Sequence, residues 1–446
     1  MSTSASPRTS YDAVVIGGGI AGLQAALDLA DQDYDVLVVE RSDSIGGKMI
    51  SLSKVFPTLD CSSCITTPKM SAAAHHPRIE ILTSTTVEAV EPQDGINRVR
   101  LVKQPTYVDN HLCIGCRLCE YACPVEYPDP FEEGLGAQRA IAVPFTNAIP
   151  QKAVLNPDYC ITCGACIRAC PTDAVVFDQQ PEPLTVEARA VVVATGFQLN
   201  STRLKPQYNA HRSKNIITPL QLERLLAPHG PFGRVLRPSD GKVPDNIAFV
   251  LCAGSRDQSI GVPYCSRVCC MYSIKQAMLL SGALPLADLT LYYMDIRAFG
   301  KGYEQFYQNA KAMGINFVKG KVARIEPAED DNLRVRFEDE ENGGRVVEAT
   351  HDLVVLAQGI IPQPDTGDQL AVARNADGFV RRPDGARPAW TGTPGVFVAG
   401  VAAGPKDIVD TIVEAGAAAM EASRYLAQTP AAAPAAAGQP EPVSQS

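Results

Sequence analysis

Long apolar runs are missing from this 446-residue chain. None reaches the roughly 18 residues that a membrane-spanning helix needs. The first residues, "MSTSASPRTSY", hold no hydrophobic segment resembling a secretory signal. Positive charge is also short: the formal net charge is −9, which argues against nucleic-acid binding or a polybasic membrane anchor. Internal repeats are absent apart from two cysteine-rich blocks. These absences predict a cytoplasmic globular protein of two or three domains. That compartment decides how the 14 cysteines are read. In reducing surroundings, clustered cysteines favour metal or redox chemistry over structural disulfides.

What is present begins with "YDAVVIGGGIAGLQAALDLADQDYDVLVVER". The apolar run Ala13–Ile16 predicts a strand, and Gly17, Gly19 and Gly22 a tight turn. An amphipathic helix follows to about Ala30, and the strand Val36–Val39 ends at Glu40. Such glycines let the backbone approach a pyrophosphate at the helix N-terminus, and the acid accepts hydrogen bonds from a ribose. A glycine fingerprint alone occurs in many folds, but this one has its strand–helix–strand–acid context.

Three further stretches resemble the two-dinucleotide-binding-domain flavoproteins, the glutathione and thioredoxin reductase superfamily. They are "ERSDSIGGKM", with Arg41, Gly47 and Lys48; "VVVATGF", with Thr195 and Gly196; and "GVFVAGVAAGPKD", with Gly400, Lys406 and Asp407, followed by Ile408. The resemblance implies FAD and adds Val87 to its contacts. One position departs. The family carries Asp directly after the late Ala-Gly, where this chain has Val401.

The most specific signal is a doubled cysteine block. "CIGCRLCEYACP" begins at Cys113 and "CITCGACIRACP" at Cys160, each C-x2-C-x2-C-x3-C-P. In the bacterial ferredoxin run the fourth cysteine ligates the other cluster. One [4Fe–4S] cluster would use Cys113, Cys116, Cys119 and Cys170. The other would use Cys160, Cys163, Cys166 and Cys123. Soft thiolates suit iron, and the doubled spacing disfavours the alternative of two zinc knuckles. "RVRLVKQPTYV" before the blocks and "PLTVEARAVVVATGF" after them read as strands of one interrupted sheet, which makes the ferredoxin unit an insert.

From about residue 245 a second alternation starts. "NIAFVLCAGSRD" reads as strand and turn, residues 266–282 as a helix, "DLTLYYMDI" as a strand, "KGYEQFYQNAKAMG" as a helix and "DLVVLAQGI" as a closing strand. The expected fold class is α/β: two doubly wound dinucleotide-binding-type domains with an inserted two-cluster bacterial ferredoxin domain. We expect disordered ends at 1–10 and 429–446 and a first domain in three pieces (11–105; 183–243 with a linker; 361–428). The insert would span 106–182 and the second Rossmann-like domain 244–360.

That second domain lacks paired glycines. Its turn reads Leu251-Cys252-Ala253-Gly254, and Asp295 is the sole candidate ribose acid. In place of a phosphate loop stand Cys252, Cys265, Cys269 and Cys270, enough for a third [4Fe–4S] cluster. The alternative is that several are buried core thiols. Joint ligation by Cys269 and Cys270 requires a distorted helix start.

Cys61 and Cys64, in "LDCSSCITTPKM", follow Gly46-Gly47 at a distance similar to the redox disulfide of disulfide reductases. They read either as a catalytic dithiol beside the flavin or as a structural, cluster-binding or cluster-shielding pair. Lys69 is placed to bring positive charge to the flavin. His75 and His76 read as surface or helix-end residues rather than ligands.

Taken together, "FPTLDCSSCITTPKM", the insert with "EGLGAQRAIAVPF", "CAGSRD…PYCSRVCCMYSIKQA" and "GPKDIVDT" resemble the A-type chain of heterodisulfide reductase over residues 10–428. The resemblance implies an oxidoreductase subunit that transfers electrons between ferredoxin-type clusters, FAD and partner subunits. It implies FAD near the adjacent-cysteine cluster, the insert as an electron port and a homodimeric core. The implied partners are heterodisulfide reductase B- and C-type subunits or other redox subunits, with ferredoxin or a flavin/NADH module as further candidates. Long family members carry extra N-terminal and C-terminal domains that this sequence lacks, so flavin-based bifurcation stays open. Two other readings compete. A self-sufficient NAD(P)H-dependent oxidoreductase is opposed by the missing second glycine loop, and a redox-sensing scaffold by the lack of a recognisable DNA-binding segment.

Overall fold

The computed structural model describes residues 8–429, and the expected tails at 1–7 and 430–446 lie outside the described residues. The first strand, Ser10–Ile16, begins inside the stretch expected to be disordered. Arg8 pairs with Asp35 at 3.1 Å, and the Thr9 carbonyl accepts from the Glu187 N–H, so sheet hydrogen bonding reaches further toward the N-terminus.

In the first sheet, Ile79–Leu82, Val36–Val39, Ser10–Ile16 and Glu182–Val193 lie side by side in that order, all parallel. Val36–Val39 is buried throughout, as expected of a strand covered on both faces. Two segments share the far edge of Glu182–Val193. Its end pairs in parallel with Val396–Val398, while its start pairs antiparallel with Ile96–Lys103, which continues the sheet to Thr85–Gln93. On one face the helix Ile20–Ala30 packs with the long helix Ile408–Gln428. Ala21, Ala25 and Ala26 from the first and Ala415, Ala418 and Ala422 from the second join one core, and small side chains let the helices approach closely.

Lys103 is the cross-strand partner of Glu182, so the insert leaves and re-enters the sheet at neighbouring positions. It contains two short helices, Leu118–Ala122 and Ala165–Ala169.

The second half repeats the plan. Ile216–Ile217, Leu353–Leu356, Asn246–Val250, Asp288–Tyr293 and Asn316–Lys319 form a parallel sheet. Val322–Pro327, Leu333–Asp339 and Arg345–His351 form an antiparallel arm. A short antiparallel pair, Phe197–Leu199 with Ile360–Pro362, ties the halves together. The fold is the expected one, two doubly wound units with an inserted cysteine-rich unit. Two boundaries here differ. Ile216–Ile217, within the 183–243 piece expected as first domain and linker, pairs with Leu353–Leu356 in the second sheet, and Leu222 and Leu225 join that sheet's core. The helix predicted from Ser266 starts at Cys269, because Val268 caps it and Ser266 Oγ accepts from the Ile360 N–H at 2.8 Å.

Candidate functional site

A cavity of about 760 Å³ opens at the C-terminal ends of the first sheet's strands, the usual ligand position in open α/β sheets. Gly17, Glu40, Ala194 and Ala399, each directly following a strand, all line it. Gly17 has φ 111°, and a Cβ there would overlap the Ala194 carbonyl. Gly47, at φ 57°, packs so closely on Gly19 that a Cβ would lie 2.8 Å from the Gly19 Cα. A backbone cradle free of side chains results, which fits a pyrophosphate. Glu40 is buried; its Oε2 accepts from the Gly18 N–H at 2.7 Å and its Oε1 from the Ser42 N–H at 2.8 Å. Each oxygen keeps a lone pair for a ribose hydroxyl.

Of the residues singled out in the sequence, Gly17, Gly19, Glu40, Arg41, Gly47, Lys48, Thr195, Gly196, Lys406, Asp407 and Ile408 line the cavity, as does Val401. Gly22, Val87 and Gly400 do not. Gly22 lies beneath the loop, where a Cβ would overlap the Gly17 carbonyl. Gly400 is pressed against Ala21 and Thr411, and Val87 packs on the core of the sheet. Lys69 does not line the cavity either; it donates to Gln24 Oε1 at 2.5 Å. Lysine charge at the cavity comes instead from Lys48, Lys54, Lys275 and Lys406.

Several wall residues escaped sequence reasoning. Tyr127, Phe131 and Glu133 come from the insert, and Glu223, Tyr272 and Lys275 from the second half. Burial pushes the Lys48 ammonium down, with Glu133 as the opposing countercharge, and burial pushes Glu133 up. Glu223 accepts from the Ser53 N–H at 3.0 Å, from Ser53 Oγ at 2.7 Å and from Gln276 at 2.5 Å, and it pairs with Lys275. Burial opposes its ionisation, but Lys275 and these donors hold Glu223 below the ordinary carboxylate range. The one signal in the sequence is polar Lys275-Gln276 in the middle of an apolar helix.

All 14 cysteines are free thiols. In the insert, Cys113, Cys116, Cys119 and Cys170 surround one small cavity, and Cys123, Cys160, Cys163 and Cys166 a second. This is the crossed grouping predicted from the spacing, and four thiols around each space form a donor set that fits an iron–sulfur cluster. Among the described residues, no group of three or more His, Cys, Asp or Glu is placed to hold a single metal ion.

The third set lies where the second domain's phosphate loop would be. Cys252 sits in a left-handed turn at φ 55°, and the buried Cys269 and Cys270 open the helix Cys269–Ala283. A hydrogen bond from Cys269, supplemented by the Arg256 guanidinium, holds the Cys252 thiol down to about 7 against the effect of burial. Cys265 Sγ accepts from the Arg267 N–H at 3.3 Å. The set abuts the large cavity, because Val268 and Tyr272, flanking the adjacent cysteines, both line it.

Cys61 and Cys64 are elsewhere. Cys61 caps the helix Ser62–His75, its Sγ accepting from the Cys64 N–H at 3.3 Å; Cys64 is exposed, and neither lines the cavity. His75 ends that helix, and His76 pairs with Asp31 at 3.4 Å.

Residues 112–174 match the model of the 4Fe-4S dicluster domain, and residues 15–65 match the NAD(P)-binding Rossmann-like domain. The A-type chain of the H(2):CoB-CoM heterodisulfide,ferredoxin reductase of Methanothermobacter marburgensis is 46% identical over 418 residues, which are 92% of this chain and 63% of that protein. The A-type iron-sulfur chain of the CoB–CoM heterodisulfide reductase of Methanocaldococcus jannaschii is 44% identical, over 93% of this chain and 64% of that one. This chain is a homologue of the heterodisulfide reductase A-type chains. It spans just under two thirds of the length of these two relatives, and 54% of a 41%-identical A-type chain from Methanosarcina mazei. Among solved structures, T. acidophilum thioredoxin reductase superposes with a TM-score of 0.53 at 14% identity, covering 94% of this chain and 99% of that one. The Lactococcus lactis thioredoxin reductase gives 0.50 at 13% identity, covering 94% and 100%. These likenesses carry the fold. Among the described residues, no helix is long and apolar enough to cross a membrane.

Proposed function

We propose that this chain is a cytoplasmic electron-distributing oxidoreductase subunit with one FAD in the large cavity and three [4Fe–4S] clusters on its three cysteine sets. The observation that carries this reading is a single helix. Cys269–Ala283 begins with two cysteines of the third set and presents Tyr272 and Lys275 to the cavity wall. When bound, the flavin links two-electron and one-electron chemistry, and the clusters carry single electrons. The chain's own residues bind, orient and insulate. Gly17, Gly19 and Gly47 cradle the pyrophosphate, and Glu40 takes the ribose. Lys406 donates to the Gly400 carbonyl at 2.6 Å and pairs with Glu414 at 2.6 Å, which fixes the loop before Ile408–Gln428. Aromatic and apolar wall residues exclude water.

The proposed ligands are Cys113, Cys116, Cys119 and Cys170; Cys160, Cys163, Cys166 and Cys123; and Cys252, Cys265, Cys269 and Cys270. The reading includes a homodimeric core and partner subunits of the heterodisulfide reductase B and C type, which would hold the substrate chemistry. The Cys61–Cys64 pair, of which Cys64 is exposed, stands outside it.

Anaerobically purified protein should contain one FAD and about 12 iron atoms per chain. Serine at Cys252, Cys265, Cys269 or Cys270, singly, should lower iron by about one cluster and leave the insert's signals intact. Iron that stays constant across all four variants would reduce these residues to core thiols.

A further inference from the structure

In a working dinucleotide site, the acid beyond the second strand is free to take a ribose. Asp295 occupies that position, just past Asp288–Tyr293, and it is already engaged. Its Oδ1 accepts from Arg256 Nη1 at 2.5 Å, and its two oxygens accept from Arg297 Nε at 3.4 Å and Nη2 at 3.3 Å. The Arg256 guanidinium also interacts electrostatically with the Cys252 thiol, as Arg297 does with Cys265. The Asp295 carbonyl accepts from Cys270 Sγ at 3.8 Å. Asp295 and Arg297, together with Arg256, therefore reach three of the four thiols of the third set.

The loop is folded to make this happen. Arg256 has left-handed backbone at φ 58°, and its N–H donates to the Tyr264 carbonyl at 2.9 Å. The Arg256 side chain is 25% exposed, so its charge is only partly screened by water. Arg267, by contrast, points elsewhere: it pairs with Asp410 at 2.6 Å and lies over the Phe299 ring. Only its backbone N–H serves the thiols.

We infer that Arg256, oriented by Asp295, is a positioning residue that raises the reduction potential of a cluster held by Cys252, Cys265, Cys269 and Cys270. The inference rests on the third cluster of the proposed function. The step it governs is a one-electron reduction of that cluster by a low-potential one-electron donor; no bond forms or breaks. A thiolate-ligated cluster gains negative charge on reduction, and a fixed cation at one ligand stabilises the reduced form. The remnant of the nucleotide site has thus become an electrostatic fitting, and the acid that would have held a sugar holds a guanidinium.

The test is an anaerobic redox titration of the full chain followed by electron paramagnetic resonance, with iron counted in parallel. The third cluster's signal is the one that Cys252→Ser abolishes. In Arg256→Gln, iron should be unchanged and that midpoint should fall by at least about 59 mV, a tenfold change in the one-electron equilibrium constant. The two insert clusters should not move. Arg256→Lys keeps the charge without the planar fork and should fall in between, so it carries the test if Arg256→Gln loses its cluster. An unshifted midpoint in a variant with full iron overturns the inference while the third cluster stands. Loss of that cluster in both variants overturns it too, since the arginine would then serve assembly. Wild-type iron sufficient for only two clusters overturns the inference and the proposed ligand set together.

Discussion

In the first half of the chain, residues 17–19 carry the backbone from a strand directly into a helix; in the second half, residues 251–268 separate the corresponding strand and helix. Each half has a parallel array with antiparallel strands beside it: in the first these continue the same sheet through Ile96–Lys103 and Thr85–Gln93, and in the second they form a separate three-stranded sheet. The helices differ. Ile20–Ala30 buries Ala21, Leu23, Ala25, Ala26 and Leu29, an apolar set. Cys269–Ala283 buries Cys269, Cys270, Ser273, Lys275 and Gln276 beside its apolar residues. A doubly wound frame evidently tolerates such replacement, because strands such as Asn246–Val250 hold the sheet while the connection after them carries the chemistry.

The sharpest way to break the comparison is at the glycines. A Cβ at Gly22 would overlap the Gly17 carbonyl, a backbone atom with nowhere to go. Gly22→Ala should cost more than about 4 kcal/mol, in the exceptional range for a single substitution, and flavin should be lost on purification. At Gly254 the obstacle is the buried Asn200 side chain, which donates to the Gly254 carbonyl and accepts from the Gly359 N–H at 3.0 Å. Gly254→Ala should cost about 1–3 kcal/mol, as overpacking does, with flavin retained. Thermal unfolding and flavin absorbance distinguish the two, and equal flavin loss would contradict the division of labour.

The buried pair comes next. Lys275→Met leaves Glu223 buried without its cation and should destabilise by about 3–5 kcal/mol, measured by denaturant unfolding. A neutral result would mean that Ser53 and Gln276 suffice.

The last effect is a pH dependence confined to the second half. His351 is buried, bonded to Tyr292 Oη at 2.9 Å and Asn246 Oδ1 at 2.6 Å, and burial lowers its pKa to about 4. The unfolded chain binds this proton more readily than the folded one. Stability from His351 is therefore complete above about pH 6.5 and falls as the pH drops toward 4, by about 3 kcal/mol. Denaturation midpoints at several pH values should fall in that window, with a flatter profile for His351→Gln.

Elements defined by neighbouring residues are legible in the sequence. The glycine turn, Val36–Val39 ending at Glu40, and the crossed cysteine grouping all depend on short spacings. The cavity's far wall is not legible. Glu133, Glu223 and Lys275 come from three separate segments and meet only once the sheets and insert have assembled; their burial and pairing are tertiary facts. Asp295 stands out in the sequence as an acid in the right place, but its two arginine partners do not, because Arg256 reaches it from across the loop. The helix start differs from the expected one by three residues for a similar reason, since Ser266 is engaged by Ile360, far away in sequence.

The Lys103–Glu182 pairing has one more consequence. Directly opposed residues of an antiparallel pair lie about 5 Å apart, so the whole cysteine-rich unit is spliced into the tip of what would otherwise be a hairpin. A cassette of this kind can be gained, lost or exchanged without altering the length or register of the host sheet. Its packing is less detachable. Glu132 forks onto Arg224 with two contacts of 2.9 Å, the Arg224 guanidinium lies over the Phe131 ring at 4.5 Å, and Glu133 reaches the cavity. A lineage that swapped the cassette would therefore also inherit a different wall for the cavity, and the two would have to be selected as one.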